Sequence, residues 1–287
     1  MTYKRRSSPI HASGAAAACA YCLALAGAAL LLQNPLLLGA LVASLLAAGY
    51  AAGVGEQLRN ALLIGAALAV PIVAINALVA HDGLTVIARL GDLPVLGRTD
   101  VTLEAVAFGG VLGLRAIALI MCGALYTAAV DPDQVLRLFR RVSFHSALTA
   151  TLATRMVPVL ARDSRRLADA QRCRPGAPPS RVAVMRAVSG NVLDRALDVA
   201  AALEVRGYGS ARRPPATASG PNRHDLAFGC AAAAILALAV VVRVASLAPF
   251  RAYPTLQGPF SAAVLALSLV TVALALLPFL DRRGIEP

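Results

Sequence analysis

The sequence predicts an all-α, polytopic membrane protein: about six transmembrane helices plus two long amphipathic helices that stay in water. Three observations predict it. Of the 287 residues, 58% are hydrophobic and only 15% are charged, against about 25% charged in an average soluble domain. The charges that exist are gathered into a few places, leaving long charge-free runs. The net charge is +12, from 27 Lys+Arg against 15 Asp+Glu, and most of that excess sits in one segment. A disordered chain would not be this apolar, and a basic nucleic-acid binder would carry its charge on a far more polar background.

The charge-free runs place the spans. Crossing the hydrocarbon layer takes about 20 residues at 1.5 Å rise each. The 49 residues between Arg6 and Glu56 therefore hold two spans, about 13–32 and 35–54, divided at Gln33-Asn34-Pro35 because proline cannot continue a helix arriving from behind it. Lys4-Arg5-Arg6 followed by an apolar run has the look of a signal peptide. The second span follows without a cleavage segment, so the first is expected to be retained. The 22 uncharged residues Asn60–His81 supply the third span. The fourth covers about 103–130, with Glu104 at its edge and Arg115 inside. A fifth runs about 226–248 and ends near Arg243. The sixth lies in the 29 uncharged residues Ala252–Leu280. The stretch 81–102 reads as a loop.

Residues 131–225 carry 16 Arg and 8 acids. Because basic residues gather on the cytosolic side, this segment and both termini are expected in the cytosol, which an even number of spans satisfies. The chain then divides into membrane helices one to four (1–130), a cytosolic region (131–225) and membrane helices five and six with a short tail (226–287).

Within the cytosolic region, Asp131-Pro132-Asp133 is a helix start, with Asp as cap and Pro at the first helical position. A second stretch places Leu148, Leu152, Met156, Leu160, Leu167 and Ala170 at helical spacing and ends at Arg174-Pro175-Gly176. A third carries Met185, Val188, Val192, Ala196, Val199 and Leu203 and ends at Arg206-Gly207, where glycine supplies the left-handed stop. These helices are too charged to cross a bilayer, and their apolar stripes are too regular for loops. The stripes need cover from headgroups, from each other, or from a groove on a partner protein. Two helices that each end in an arginine beside a breaker favour the partner.

Ala202-Leu-Glu-Val-Arg206-Gly207-Tyr208-Gly209 resembles a motif of the transmembrane T component of energy-coupling factor transporters, the family that includes CbiQ-type proteins. The resemblance extends along the chain through Ser8-Pro9-Ile10-His11, Ile75-Asn76-Ala77-Leu78, Gly113-Leu114-Arg115, Asp131-Pro132-Asp133, Arg155-Met-Val-Pro158 and Ala170-Gln171-Arg172-Cys173-Arg174. It implies a scaffold with no substrate site of its own. Such a scaffold joins two cytosolic ABC ATPases to a small substrate-binding membrane S component, for uptake of a vitamin or a transition-metal ion. It implies that Arg206 with Gly207 and Ala202, and Arg174 with Ala170, contact the ATPases at the ends of two coupling helices. This sequence departs from the family's Ala-Arg-Gly motif: Val205 precedes Arg206, and Cys173 and Pro175 flank Arg174. Catalytic residues, metal ligands and cofactors are not expected in this chain; ATP and magnesium belong to the partner ATPases. The implied location is a bacterial inner membrane.

The residues agree with a non-catalytic reading. The single lysine, Lys4, cannot complete a GxxxxGK[ST] phosphate loop. Cys19-Ala-Tyr-Cys22 reads as small packing residues in an apolar helix rather than a redox pair. The histidines, His81 on the outer loop included, form no ligand cluster. Arg115, costly in mid-span, is expected to serve the fold by contacting Asn76 or backbone carbonyls. Gly49-x-x-x-Gly53 and Gly109-x-x-x-Gly113 offer close helix approach, plausibly to the substrate-binding subunit. Two rivals remain. A membrane prenyl- or lipid-diphosphate enzyme would use Asp194 and Asp198 for magnesium but needs a second acidic motif. A self-sufficient secondary transporter would need more polar midplane residues.

Overall fold

The computed structural model describes residues 6–79, 85–93, 97–139, 144–173, 181–205, 207, 222–250, 258 and 261–281. Its elements in chain order are α1 (Pro9–Ala12), α2 (Ala15–Leu31), α3 (Pro35–Ala51), α4 (Gly55–Val79), β1 (Val86–Leu93), β2 (Gly97–Thr102), α5 (Leu103–Ala129), α6 (Pro132–Phe139), α7 (Phe144–Arg172), α8 (Arg181–Val205), α9 (Arg223–Val244), α10 (Ala262–Leu276) and a 3-10 turn at Leu277–Phe279. The fold is an all-α polytopic membrane protein. Helix α4, helix α5, helix α9 and the segment Ala262–Phe279 are long and apolar enough to cross a membrane. Helices α2 and α3 are equally apolar but shorter, at 17 residues each.

By its internal contacts the chain forms two units, Met1–Val135 with Pro221–Pro287, and Leu136–Gly220. The first is a helix bundle. Its breaks follow the sequence closely. The Asn34 side chain accepts from Leu36 N–H and caps α3, with Pro35 at the first helical position. Between α3 and α4 the chain turns at Gly53, whose φ of +74 suits a residue without Cβ. There Val54 N–H donates to Gly49 O and Gly53 N–H to Tyr50 O, the paired bonds of a Schellman stop.

The stretch 81–102 departs from the expected plain loop. Within it, β1 and β2 pair antiparallel, with Val86 opposite Thr102 and Leu93 opposite Gly97. The hairpin is rooted on α5. Thr102 Oγ1 caps the helix by accepting from Ala105 N–H, and the buried Glu104 carboxylate accepts from both N–H and Oγ1 of Thr85.

Helices α4 and α5 pack antiparallel at backbone range. A Cβ on Gly113 would lie 2.9 Å from Ala69 Cβ, one on Gly109 would lie 2.9 Å from Val73 Cα, and one on Gly65 would lie 3.1 Å from Ile117 Cα. The glycine pair Gly109/Gly113 is thus spent inside the chain, and Gly49 is filled by Leu58 at 2.6 Å from its missing Cβ. The close helix approach that the sequence allows is therefore made, at Gly49, Gly109 and Gly113, within the chain itself. In a bilayer such closeness matters because lipid is as apolar as leucine; dispersion between tightly fitted surfaces has to hold the helices.

A buried aromatic cluster joins the rest. Tyr21 on α2, Phe228 on α9 and Phe279 in the 3-10 turn meet edge to face, with centroids 5.2 to 6.2 Å apart. The Tyr21 hydroxyl donates to Ala275 O at 2.7 Å.

Candidate coupling site

The second unit is a helical hairpin, α7 against α8. Their predicted stripes face one another: Leu152, Met156 and Leu160 of α7 line an apolar cleft with Val192, Ala196 and Val199 of α8. Arg195 Nη1 donates to Asp163 Oδ2 at 3.1 Å across the pair. Arg195 thus pairs across the hairpin rather than with its neighbours Asp194 and Asp198 on its own helix. Both aspartates are exposed.

The two helices cover each other only in part. Helix α8 has a second apolar line at Val182, Leu193 and Leu197 beside the predicted stripe, and these three with Met185 of the stripe are each more than 60% exposed. Met185, Val188 and Leu193 border an open apolar hollow of about 640 Å³. Of the three covers the sequence allowed for the stripes, the hairpin itself supplies one and leaves a strip of α8 bare.

The residues expected to contact ATPases fall at or just beyond the ends of α7 and α8 in the sequence. Helix α8 runs to Val205, and Gly207 takes a φ of +75, with its N–H donating to Glu204 O at 2.9 Å. That is the left-handed stop the sequence predicts. Ala202, Glu204, Val205 and Gly207 are all exposed, Val205 to 89%. Arg206 lies outside the described residues. On α7, Ala170 and Cys173 are exposed, and Cys173 N–H closes the last turn on Asp169 O at 3.1 Å. Arg174 and Pro175 lie outside the described residues. The apolar and small side chains leading into both expected contacts are therefore presented outward, while the arginines themselves have no described geometry.

The chain enters this region through a capped start. Asp131 Oδ1 accepts from Asp133 N–H at 2.9 Å, and its carbonyl accepts from Gln134 and Val135 N–H, with Pro132 first in α6. It returns through α9, where Asn222 and Asp225 form a reciprocal capping box.

Arg115, expected to contact Asn76 or backbone carbonyls, uses the carbonyls. Its Nε donates to Ala29 O at 3.2 Å and its Nη2 to Leu32 O at 3.0 Å. These lie at the C-terminus of α2, where the Gln33-Asn34-Pro35 break removes the helical donors that would have served them. A cation there also matches the negative end of the helix dipole. Asn76 turns to its own helix, donating to Ile72 O at 2.8 Å, and sits where Gly109 crosses α4.

Some contacts carried no advance signal. Arg243 Nη1 donates to Gln33 Oε1 at 2.9 Å, and Cys19 hydrogen-bonds Tyr126 between α2 and α5. Asp225 Oδ1 accepts from Gly14 N–H, which lies 211 positions away. The sequence did hold one usable hint, the Asn222-x-x-Asp225 spacing of a capping box, which starts α9 three residues before the expected 226. Among the described residues, no group of three or more His, Cys, Asp or Glu is placed to hold a metal ion. His81 lies outside them.

Comparison with curated proteins finds no match to the chain. A family model does match: CbiQ, cobalt transport protein, over residues 6–216, which takes in α1 to α8 and the expected coupling motifs. By that match, over most of its length, the chain belongs to the CbiQ family of cobalt transport proteins.

Proposed function

We propose that this membrane transport component is the energy-coupling scaffold of an ATP-driven importer. It would hold two cytosolic ABC ATPases through α7 and α8 and a small substrate-binding membrane subunit through its bundle. The cargo would be a transition-metal ion of the cobalt or nickel kind, or a vitamin. ATP and magnesium would be bound by the ATPases, and this chain would carry out no chemistry. The arginine-rich region and both termini would face the cytosol of a bacterium, with six membrane passages, α2 and α3 being the two short ones.

The observation that carries the reading is the end of α8: a helix with a bare apolar line that finishes with Ala202, Glu204 and Val205 exposed and a left-handed Gly207, the two flanks of Arg206 in the sequence. An arginine offers five donors in a fixed fork and stays charged in a partly dry groove. A helix stopped by a left-handed glycine offers that fork from a rigid base. Family membership supports transport. Asp194 and Asp198, exposed on a single helix face, give no support to a magnesium-diphosphate enzyme.

The test is co-purification. Arg206→Glu is expected to leave the chain inserted in the membrane while cutting ATPase recovery at least tenfold. Normal recovery of the ATPases with normal Co²⁺ uptake in that variant would refute the scaffold role.

A further inference from the structure

Helix α2 is gripped at both ends by charges from other helices. At its C-terminus Arg115 of α5 binds Ala29 O and Leu32 O. At its N-terminus the cap residue is Gly14, which has no side chain to cap with. Asp225 of α9 instead accepts from the N–H of Gly14 itself, the role an N3 carboxylate plays in a capping box. Its Oδ2 takes Asn222 N–H at 3.0 Å, closing its own helix's capping box, and its Oδ1 takes Gly14 N–H.

One carboxylate thus serves the first turns of two helices. Those helices run parallel: Gly14 meets Asp225, Gly27 meets Leu236, and Gln33 meets Arg243. Two positive helix ends lie side by side, an arrangement that repels unless an anion sits between them. The fit is tight, since a Cβ on Gly14 would stand 3.2 Å from Asp225 Oδ1. Asp225 is also three residues past Asn222, where the chain comes back from the arginine-rich unit at Gly220–Pro221. A pull on the chain before Asn222 reaches α9 first, and the Asp225–Gly14 bond is the first of its links to α2, ahead of Phe228 on Tyr21, Leu236 on Gly27 and Arg243 on Gln33.

We infer that Asp225 is a positioning residue of the transport cycle: its shared cap on α9 and α2 passes movement of the returning coupling segment into α2, and from the far end of α2 through Arg115 into the α4–α5 pair. This rests on the scaffold reading above. The coupling is carried by named contacts, and the one between the two first turns can be cut by itself.

The experiment uses the full complex, the chain co-purified with its ATPases and substrate-binding subunit, and follows amide hydrogen exchange with and without Mg-ATP. In the wild type, the first turns of α9 and α2 should change exchange together when nucleotide is added. Asp225→Asn keeps the shape and removes the charge. It should retain the ATPases and the α9 response while the α2 response falls at least fivefold. A merely structural loss would loosen both helices without nucleotide and would leave no such split. Gly14→Ala is the second variant, displacing the same carboxylate with its charge kept; it should lower the α2 response by a smaller factor and decides the matter if Asp225→Asn does not assemble. A full α2 response in the variants, or none in the wild type, overturns the inference. A wild-type chain that retains no ATPase overturns the scaffold reading and this inference with it.

Discussion

The α4–α5 pair and the α7–α8 pair are both antiparallel helical hairpins of this chain, and they are built on opposite principles. In the first, Gly65, Gly109 and Gly113 let backbones meet at distances that leave no space for a methyl group. In the second, one ion pair and a partly filled cleft join the helices, and a line of large apolar residues on α8 stays bare. The first pair has no partner to seek along its seam. The second leaves a line of apolar surface uncovered. The proposed scaffold would use both kinds: a stiff part that does not yield when pushed, and a receptive part completed by what it would hold.

That contrast can be broken most severely at Gly113. Gly113→Leu must drive α4 and α5 apart, and overpacking of this kind costs about 2–3 kcal/mol; the expected result is a clear drop in resistance to denaturant of the purified chain in detergent. Gly110 lies on the same helix with nothing within 4 Å of its missing Cβ. Gly110→Ala should therefore be neutral or gain up to about 1 kcal/mol from helix propensity. Equal losses at both positions would mean that the seam is not where the stiffness resides.

The next effect is at Arg115. Arg115→Met strands two carbonyls at the end of α2, a loss of about 2 kcal/mol, and Arg115→Lys should recover part of it because it can still reach one of them. Denaturant titration of the three proteins measures the order.

For the α7–α8 pair the signs should separate. Leu193→Gln changes a residue 63% exposed, so stability should move by less than about 0.5 kcal/mol. ATPase recovery should nonetheless fall several-fold if the bare line of α8 is an interface. The smallest effect belongs to the Arg195–Asp163 pair. Its arginine side chain is 42% exposed, and Asp163→Asn should cost about 0.5 kcal/mol or less, an effect that 0.5 M salt should erase.

How much of this was legible in the sequence depended on the range of the cause. Local causes could be read. The gaps between charges located the apolar helices because an unpaired charge in lipid is too costly to be scattered at random. Asp131-Pro132 announced the start of α6 and Gly207 the stop of α8, since cap chemistry is written within four residues. The kind of partner Arg115 would take was half legible: a mid-span cation must find carbonyls, but only the fold could say that they belong to α2. Long-range causes could not be read. Gly109-x-x-x-Gly113 says that something approaches closely, without saying that it is α4 of the same chain. Gly14 and Asp225 are unremarkable until two parallel helices bring them level. The hairpin was missed because Val86-Ile87-Ala88-Arg89-Leu90-Gly91 lacks the strict alternation that marks a strand. The two arginines expected to contact ATPases, Arg206 and Arg174, both lie outside the described residues; what can be compared is the helix stop, which Gly207 makes in the left-handed conformation expected of it.

The bond from Tyr21 to Ala275 spans 254 residues, and it sets a clock on biogenesis. At about 5–20 residues per second of synthesis, the Tyr21 hydroxyl waits roughly 13–50 s for its acceptor to be made. Throughout that interval a polar group on the earliest long helix faces lipid unsatisfied, or is lent a temporary partner. A chain halted before Ala275 would never close that gap, and its Tyr21 hydroxyl would stay without its native acceptor.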